Sequence, residues 1–308
     1  MSIPDGVTPT VYVTVGGERI EVIFDTGSSG LRILKGVLKS ATLTDLHKRI
    51  RYSYGDEDYG LNVSGELVEG YFNLDRLRSK LPIAFMAIDS VQYVRNGKPF
   101  DWIPTGDQTF LSKDSTYFSG FYGSMGVGMR VGDDGVGSPI PQMPGNGVYM
   151  VHFPQAGLTY GGVLILNPSS GEISKFKNMQ QLNPGKYQLA NGVKGYEDDA
   201  LDGTLSIAGV NYAAPTLLDT ANPAVWTESP FLTGTEIRTP GTIVTMALQT
   251  LPAKTSTTFK VNNAQLAVDF VKINHNTGKT ANSFGAQFFF DYDVLYDAVK
   301  GQIWIAGK

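Results

Sequence analysis

The stretch Phe24-Asp25-Thr26-Gly27-Ser28-Ser29-Gly30 constrains this chain more than any other, because there an apolar strand ends on a carboxylate. Val11, Val13 and Val15 alternate with Tyr12 and Thr14, Gly16-Gly17 supplies a two-residue turn, and Ile20, Val22 and Phe24 alternate again. This period of two predicts a hairpin that delivers Asp25 from its end. A carboxylate arriving off a buried strand must be hydrogen-bonded or must change its pKa. Thr26 and Ser28 offer hydroxyls, Gly27 lets another backbone approach closely, and Ser29 and Gly30 keep the turn open. From these residues alone, an acidic turn with helper hydroxyls reads equally well.

The same grammar returns in the second half of the chain. Pro215-Thr216-Leu217-Leu218-Asp219-Thr220-Ala221-Asn222-Pro223 is again an apolar approach followed by Asp-Thr. Two carboxylates sharing one site cannot both ionise cheaply, so the pair holds a single proton. The ionised member can take a proton from a water that attacks a carbonyl, while the protonated member supports the developing oxyanion. Such chemistry needs no metal and no covalent intermediate.

Composition bounds the remaining possibilities. At 308 residues, one large or two moderate cores are expected. The 36 glycines and 11% aromatics suit a sheet-rich protein with many tight turns. A net charge of −4 without a dominant basic stretch argues against a nucleic-acid partner. No apolar run approaches the ~18 residues of a membrane span. With no cysteine there are no disulfides and no thiol chemistry. His47, His152 and His275 lack metal spacing, and neither metal nor cofactor is expected. The acidic runs Asp56-Glu57-Asp58, Asp133-Asp134 and Glu197-Asp198-Asp199 read as solvated surface. Met1-Ser2-Ile3-Pro4-Asp5 has no leader character, which fits either a cytoplasmic protein or a secreted one whose leader has been removed.

Asp25-Thr26-Gly27-Ser28-Ser29 after an apolar strand resembles the active-site signature of pepsin-like and retroviral-type aspartic peptidases, and Asp219-Thr220 resembles its second copy. The resemblance implies an all-β, bilobal pepsin-like fold with a central cleft, an N-terminal lobe over 1–158 and a C-terminal lobe over 159–308. It implies an aspartic endopeptidase with Asp25 and Asp219 as the catalytic pair. Thr26 and Thr220 would tie the two loops together through hydroxyl-to-backbone bonds, Ser28 would donate to Asp25, and Gly27, Ala221 and Asn222 would complete the two turns. Ile50 to Gly55 and Gly65 to Phe72 are similar to a flap hairpin, with Tyr54 as the flap tyrosine and Tyr59, in Tyr59-Gly60, as its rival. Gly123 to Gly128 resembles the glycine-flanked strand that crosses behind the first motif, and Phe284 to Asp297 followed by Ile303 to Ala306 resembles the family's closing pattern. Without cysteines or room for a pro-segment, the chain is most similar to compact prokaryotic members. A monomer taking a peptide or protein substrate in the inter-lobe cleft, open to pepstatin-type inhibition, follows from the resemblance.

Four residues depart from the family pattern. Ala221 adds a methyl where close approach is expected, Asn222 replaces a hydroxyl donor to Asp219 with an amide, Pro223 removes a backbone donor, and Arg32 stands where an aromatic partner of the flap tyrosine is common. They keep two further readings open: a pepsin-fold protein that binds a peptide or small molecule without proteolysis, and a dyad used for other acid–base chemistry. Elsewhere, Leu81 to Ile88 reads as a buried strand and Gln92 to Ser119 as an irregular inserted loop.

Overall fold

A computed structural model of the chain describes residues 1, 8–55, 59–105, 121–154, 158, 161–223, 225–229, 236–237, 240–261, 271–274 and 280–308. Strands dominate it, and the α-helices among these residues are two short ones, Ser170–Ile173 and Ala286–Asp291. The fold class is all-β.

The expected first hairpin is present. Thr10–Val15 pairs with Glu18–Asp25 in register from Thr10 opposite Ile23 to Val15 opposite Glu18. Gly16 and Gly17 turn the chain with φ of 57° and 104°, a conformation that glycine adopts without a Cβ penalty. The strand Ser29–Leu34 follows Asp25 and is buried along its whole length. Between it and Glu18–Asp25 lies Gly123–Val127, antiparallel to the first and parallel to the second. Gly123 and Gly126 carry no Cβ where one would stand within 2.1 Å of the Arg32 carbonyl and 2.7 Å of Ser28 Oγ, so the crossing strand fits only with glycine at these places.

Residues 201–284 repeat this order. Leu201–Ile207 pairs with Val210–Leu218, which delivers Asp219, and Val225–Glu228 follows. Ala281–Phe284 runs between them, parallel to Val210–Leu218 and antiparallel to Val225–Glu228. The two four-strand units therefore share strand order and polarity, each ending its second strand on an Asp-Thr loop.

A further sheet joins the ends of the chain. Val148–His152 pairs with Val163–Leu166 and with Tyr292–Asp297, which pairs in turn with Gln302–Gly307 and so with Asn178–Gln181. Val148–His152 precedes the boundary expected near Thr159, yet it pairs with strands beyond it; Thr159 itself lies outside the described residues. One apolar cluster contains Phe24, Leu31 and Met125 from the first unit, Leu205, Leu218 and Phe284 from the second, and Tyr149, Phe288 and Tyr296 from the joining sheet and its helix. Burial of this continuous cluster is the main force holding the two Asp-bearing units in one body.

Several expectations require correction. The hairpin after the first motif is longer than its sequence suggested, Thr44–Gly55 paired with Tyr59–Gly70, because the outer strand buries only Ile50 and its polar residues mask the alternation. The strand expected over Leu81 to Ile88 runs from Ile83 to Arg95. That takes Gln92 to Arg95 out of the expected irregular loop, and Lys98–Pro99 and Ile103–Pro104 add short pairings to the same strand. Residues 106–119 of that loop and the acidic run Asp56-Glu57-Asp58 lie outside the described residues. Of Glu197-Asp198-Asp199, the outer two are exposed as expected, but Asp198 is 2% exposed.

Candidate active site

The two Asp-Thr loops meet through a reciprocal set of hydrogen bonds. Thr26 Oγ1 donates to the Leu218 carbonyl at 2.8 Å and accepts from Thr220 N at 3.0 Å. Thr220 Oγ1 donates to the Phe24 carbonyl at 2.9 Å and accepts from Thr26 N at 3.0 Å. Each hydroxyl satisfies one carbonyl and one amide of the opposite loop, and both threonines are buried. Tying the two strand ends together in this way fixes where their carboxylates point.

Both carboxylates converge on Gly27. Its amide donates to Asp25 Oδ1 at 2.7 Å, and a Cβ on Gly27 would stand 2.2 Å from Asp219 Cγ. Only glycine at this position leaves room for the second carboxylate.

The environments of the two aspartates differ. Asp25 accepts from the Gly27 and Ser28 amides, from Ser28 Oγ, and more distantly from Ser124 Oγ at 3.4 Å. Asp219 accepts from the amides of Ala221 and Asn222, at 3.0 and 3.1 Å on Oδ1. The Asn222 side-chain amide donates to Ser283 Oγ at 2.9 Å. Enclosure of the Asp219 carboxyl first, and the charge of Asp25 second, raise the Asp219 pKa well above the ordinary aspartate value. Four donors suit a carboxylate at Asp25, and the raised pKa suits a proton on Asp219.

Ser124 and Ser283 were missed in the sequence, although a signal exists for both. Ser124-Met125-Gly126 and Ser283-Phe284-Gly285 are matching triplets on the two crossing strands. Ser124 pairs with Ile23 and Ser283 with Leu217, each two residues before its aspartate.

Ala221 also finds an environment. It packs against the apolar cluster of Ile23, Leu34, Met86 and Val136 that Tyr52 and Tyr54 border from the hairpin. Tyr54 is half-buried, and burial holds its phenol neutral. The backbone of Tyr59 pairs with Arg95, and its side chain lies outside the described residues. Arg32 is buried beneath the hairpin, with its guanidinium 3.4 Å from the Tyr52 ring centroid and Nη1 donating to the Ser29 carbonyl at 2.7 Å.

Arg130, just past the first crossing strand, was also not anticipated. Its Nη2 donates to the Gly27 carbonyl at 2.6 Å, Nε lies 3.2 Å from Asp198 and Nη1 2.9 Å from Asp199. Asp198 also accepts from the Met129 amide. Burial raises the Asp198 pKa, and Arg130 opposes that rise.

Of the histidines, His47 is exposed beside Asp45, His152 pairs with Asp293 at 2.7 Å, and His275 lies outside the described residues. Among the described residues no cluster of three potential metal ligands occurs, and no helix is long and apolar enough to cross a membrane.

No protein-family model and no curated protein sequence matches this chain.

Proposed function

We propose that the chain is an aspartic endopeptidase of bilobal, pepsin-like fold, hydrolysing peptide bonds between Asp25 and Asp219. The observation that carries the reading is the reciprocal Thr26–Thr220 bonding, which brings two carboxylates of unlike environment onto the same glycine. The matching strand units around the two loops support two related lobes with the dyad between them, and the hairpin bearing Tyr54 serves as the flap over the substrate.

In this mechanism a water held between the carboxyls attacks the scissile carbonyl carbon. Asp25 takes the proton from the water, and Asp219 gives its proton to the carbonyl oxygen, forming a tetrahedral diol. Collapse of the diol breaks the C–N bond as Asp25 returns the proton to the leaving nitrogen and Asp219 recovers one from a hydroxyl. Charge is balanced throughout, with one proton on the pair before and after.

Incubation with a mixed peptide library from about pH 3 to 7, read by mass spectrometry, tests the reading. Wild type cleaves and is inhibited by pepstatin, whereas Asp25→Asn and Asp219→Asn lose cleavage by at least about a thousandfold. A wild type inert at every pH would transfer the site to the second reading, binding without proteolysis, for which the engagement of the Asn222 side-chain amide by Ser283 is the specific motive.

A further inference from the structure

The two halves of the site are alike in backbone and unlike in charge. On the first loop the Ser28 amide donates to Asp25 Oδ1 at 3.0 Å, and the carbonyl of that same peptide unit, Gly27 C=O, receives Arg130 Nη2 at 2.6 Å. On the second loop the Asn222 amide donates to Asp219 Oδ1 at 3.1 Å. Among the described residues no side chain donates to the carbonyl of that peptide unit, which belongs to Ala221. Arg130 lies four residues past Gly126 of the first crossing strand, and four residues past Gly285, the matching glycine, stands the fully buried Phe289. The cation has no counterpart.

We propose that Arg130 is the positioning residue that makes Asp25 the ionised member of the dyad, acting through the Gly27–Ser28 peptide. This deepens the peptidase reading and rests on it. A charged donor on a carbonyl polarises its peptide and strengthens the donation from the amide at the other end. That amide holds Asp25 Oδ1, so the positive charge of Arg130 is delivered to Asp25 along a hydrogen-bonded path and to Asp219 only across space. The guanidinium is aimed by its other two nitrogens, which Asp198 and Asp199 engage from the second half of the chain. Removing Asp198 or Asp199 is therefore not equivalent to removing Arg130.

Asp25 is faced by Asp219 and by Tyr52 and Tyr54 of the hairpin; Arg130 is faced by Asp198, Asp199, Tyr52 and Asp219; and Tyr296 faces Asp219 and Asp198. The tyrosines stay neutral because burial raises their pKa values.

The test compares wild type with Arg130→Gln, Arg130→Lys and Asp199→Asn. It reads the acid limb of the pH profile of kcat/KM and, independently of turnover, the carboxyl carbon resonances of Asp25 and Asp219 as pH is varied. Arg130→Gln keeps a donor near Gly27 but deletes the charge, so the acid limb and the first carboxyl titration move up by about one pH unit. Arg130→Lys keeps the charge and returns most of that shift. Asp199→Asn changes a half-exposed residue, removes a counter-charge from the guanidinium and moves the limb the opposite way, which keeps the inference testable should Arg130→Gln not fold. A folded Arg130→Gln with an unmoved titration, or an Asp199→Asn shifted upward, overturns the inference and leaves the peptidase reading intact. A wild type without cleavage overturns the peptidase reading, while the carboxyl titrations still decide the role of Arg130.

Discussion

At the scale of single residues, the carboxyl of Asp219 departs from ordinary surface chemistry in a way that stability reports. Asp219 has a pKa raised by enclosure and by Asp25, so the folded protein holds a proton there over a pH range in which the unfolded chain has released it. Stability then falls as pH rises, starting at the ordinary aspartate value near 4 and ending only above the raised folded value. Each pH unit of that interval costs about 1.4 kcal/mol. Asp219→Asn is neutral at every pH and close to isosteric, so it removes the cost. The variant is expected to match wild type near pH 3.5 and to exceed it increasingly toward pH 8, in urea unfolding measured across that range. A wild type and variant with parallel pH profiles would show that Asp219 carries no raised pKa. Gly27 makes the complementary case, since its missing side chain is what admits Asp219 at all. That glycine was legible as a place of close approach from its neighbours in sequence, whereas the identity of what approaches it required the fold.

At the scale of elements, the hairpin Thr44–Gly55 and Tyr59–Gly70 is held over the site by an unusual anchor, the buried Arg32 guanidinium stacked on Tyr52, whose ring meets Tyr54 edge-on at 4.9 Å. A desolvated cation–π contact of this kind contributes about 2 kcal/mol, and lysine, as a compact point charge, cannot reproduce the planar stack. Both Arg32→Met and Arg32→Lys are therefore expected to raise amide hydrogen exchange in residues 50–54 by about thirtyfold while leaving Thr10–Val15 protected. Exchange that rises equally in both strands would mean a global loss of stability and no specific anchoring of the hairpin. Legibility at this scale followed burial. The first hairpin could be read because its apolar residues alternate, whereas the Asp-Thr loops were read as a repeated motif and the closing strands Tyr292–Asp297 and Gln302–Gly307 from their resemblance to a family pattern. The outer hairpin strand was underestimated because it has one buried residue to report its phase. Asp198 was misread because an acidic triplet looks the same whether it faces water or an arginine 68 positions earlier in the chain. Nothing local to either residue marks such a pairing.

At the scale of the whole molecule, the question is what makes two similar units behave as one. The shared apolar cluster brings them together without specifying an angle, since hydrophobic burial is non-directional. Direction comes from the threonine bonds, where four buried backbone groups find partners only across the junction. Thr26→Val is nearly isosteric but leaves the Leu218 carbonyl and the Thr220 amide without their partners; Thr220→Val does the same to the Phe24 carbonyl and the Thr26 amide. Each single change is expected to cost about 2–4 kcal/mol, from two orphaned buried groups at roughly 1–2 each. Once either variant has let the loops part, water reaches the groups on the other side, and the second substitution removes bonds that are already weakened. The double variant should therefore cost less than the sum of the two singles by at least about 1 kcal/mol in urea unfolding, with an unchanged dependence on denaturant. Serine at either position keeps the hydroxyl and should recover most of the loss. Strict additivity would mean that each threonine holds its own loop independently and that the rigid joining of the two carboxylates comes from the apolar cluster instead.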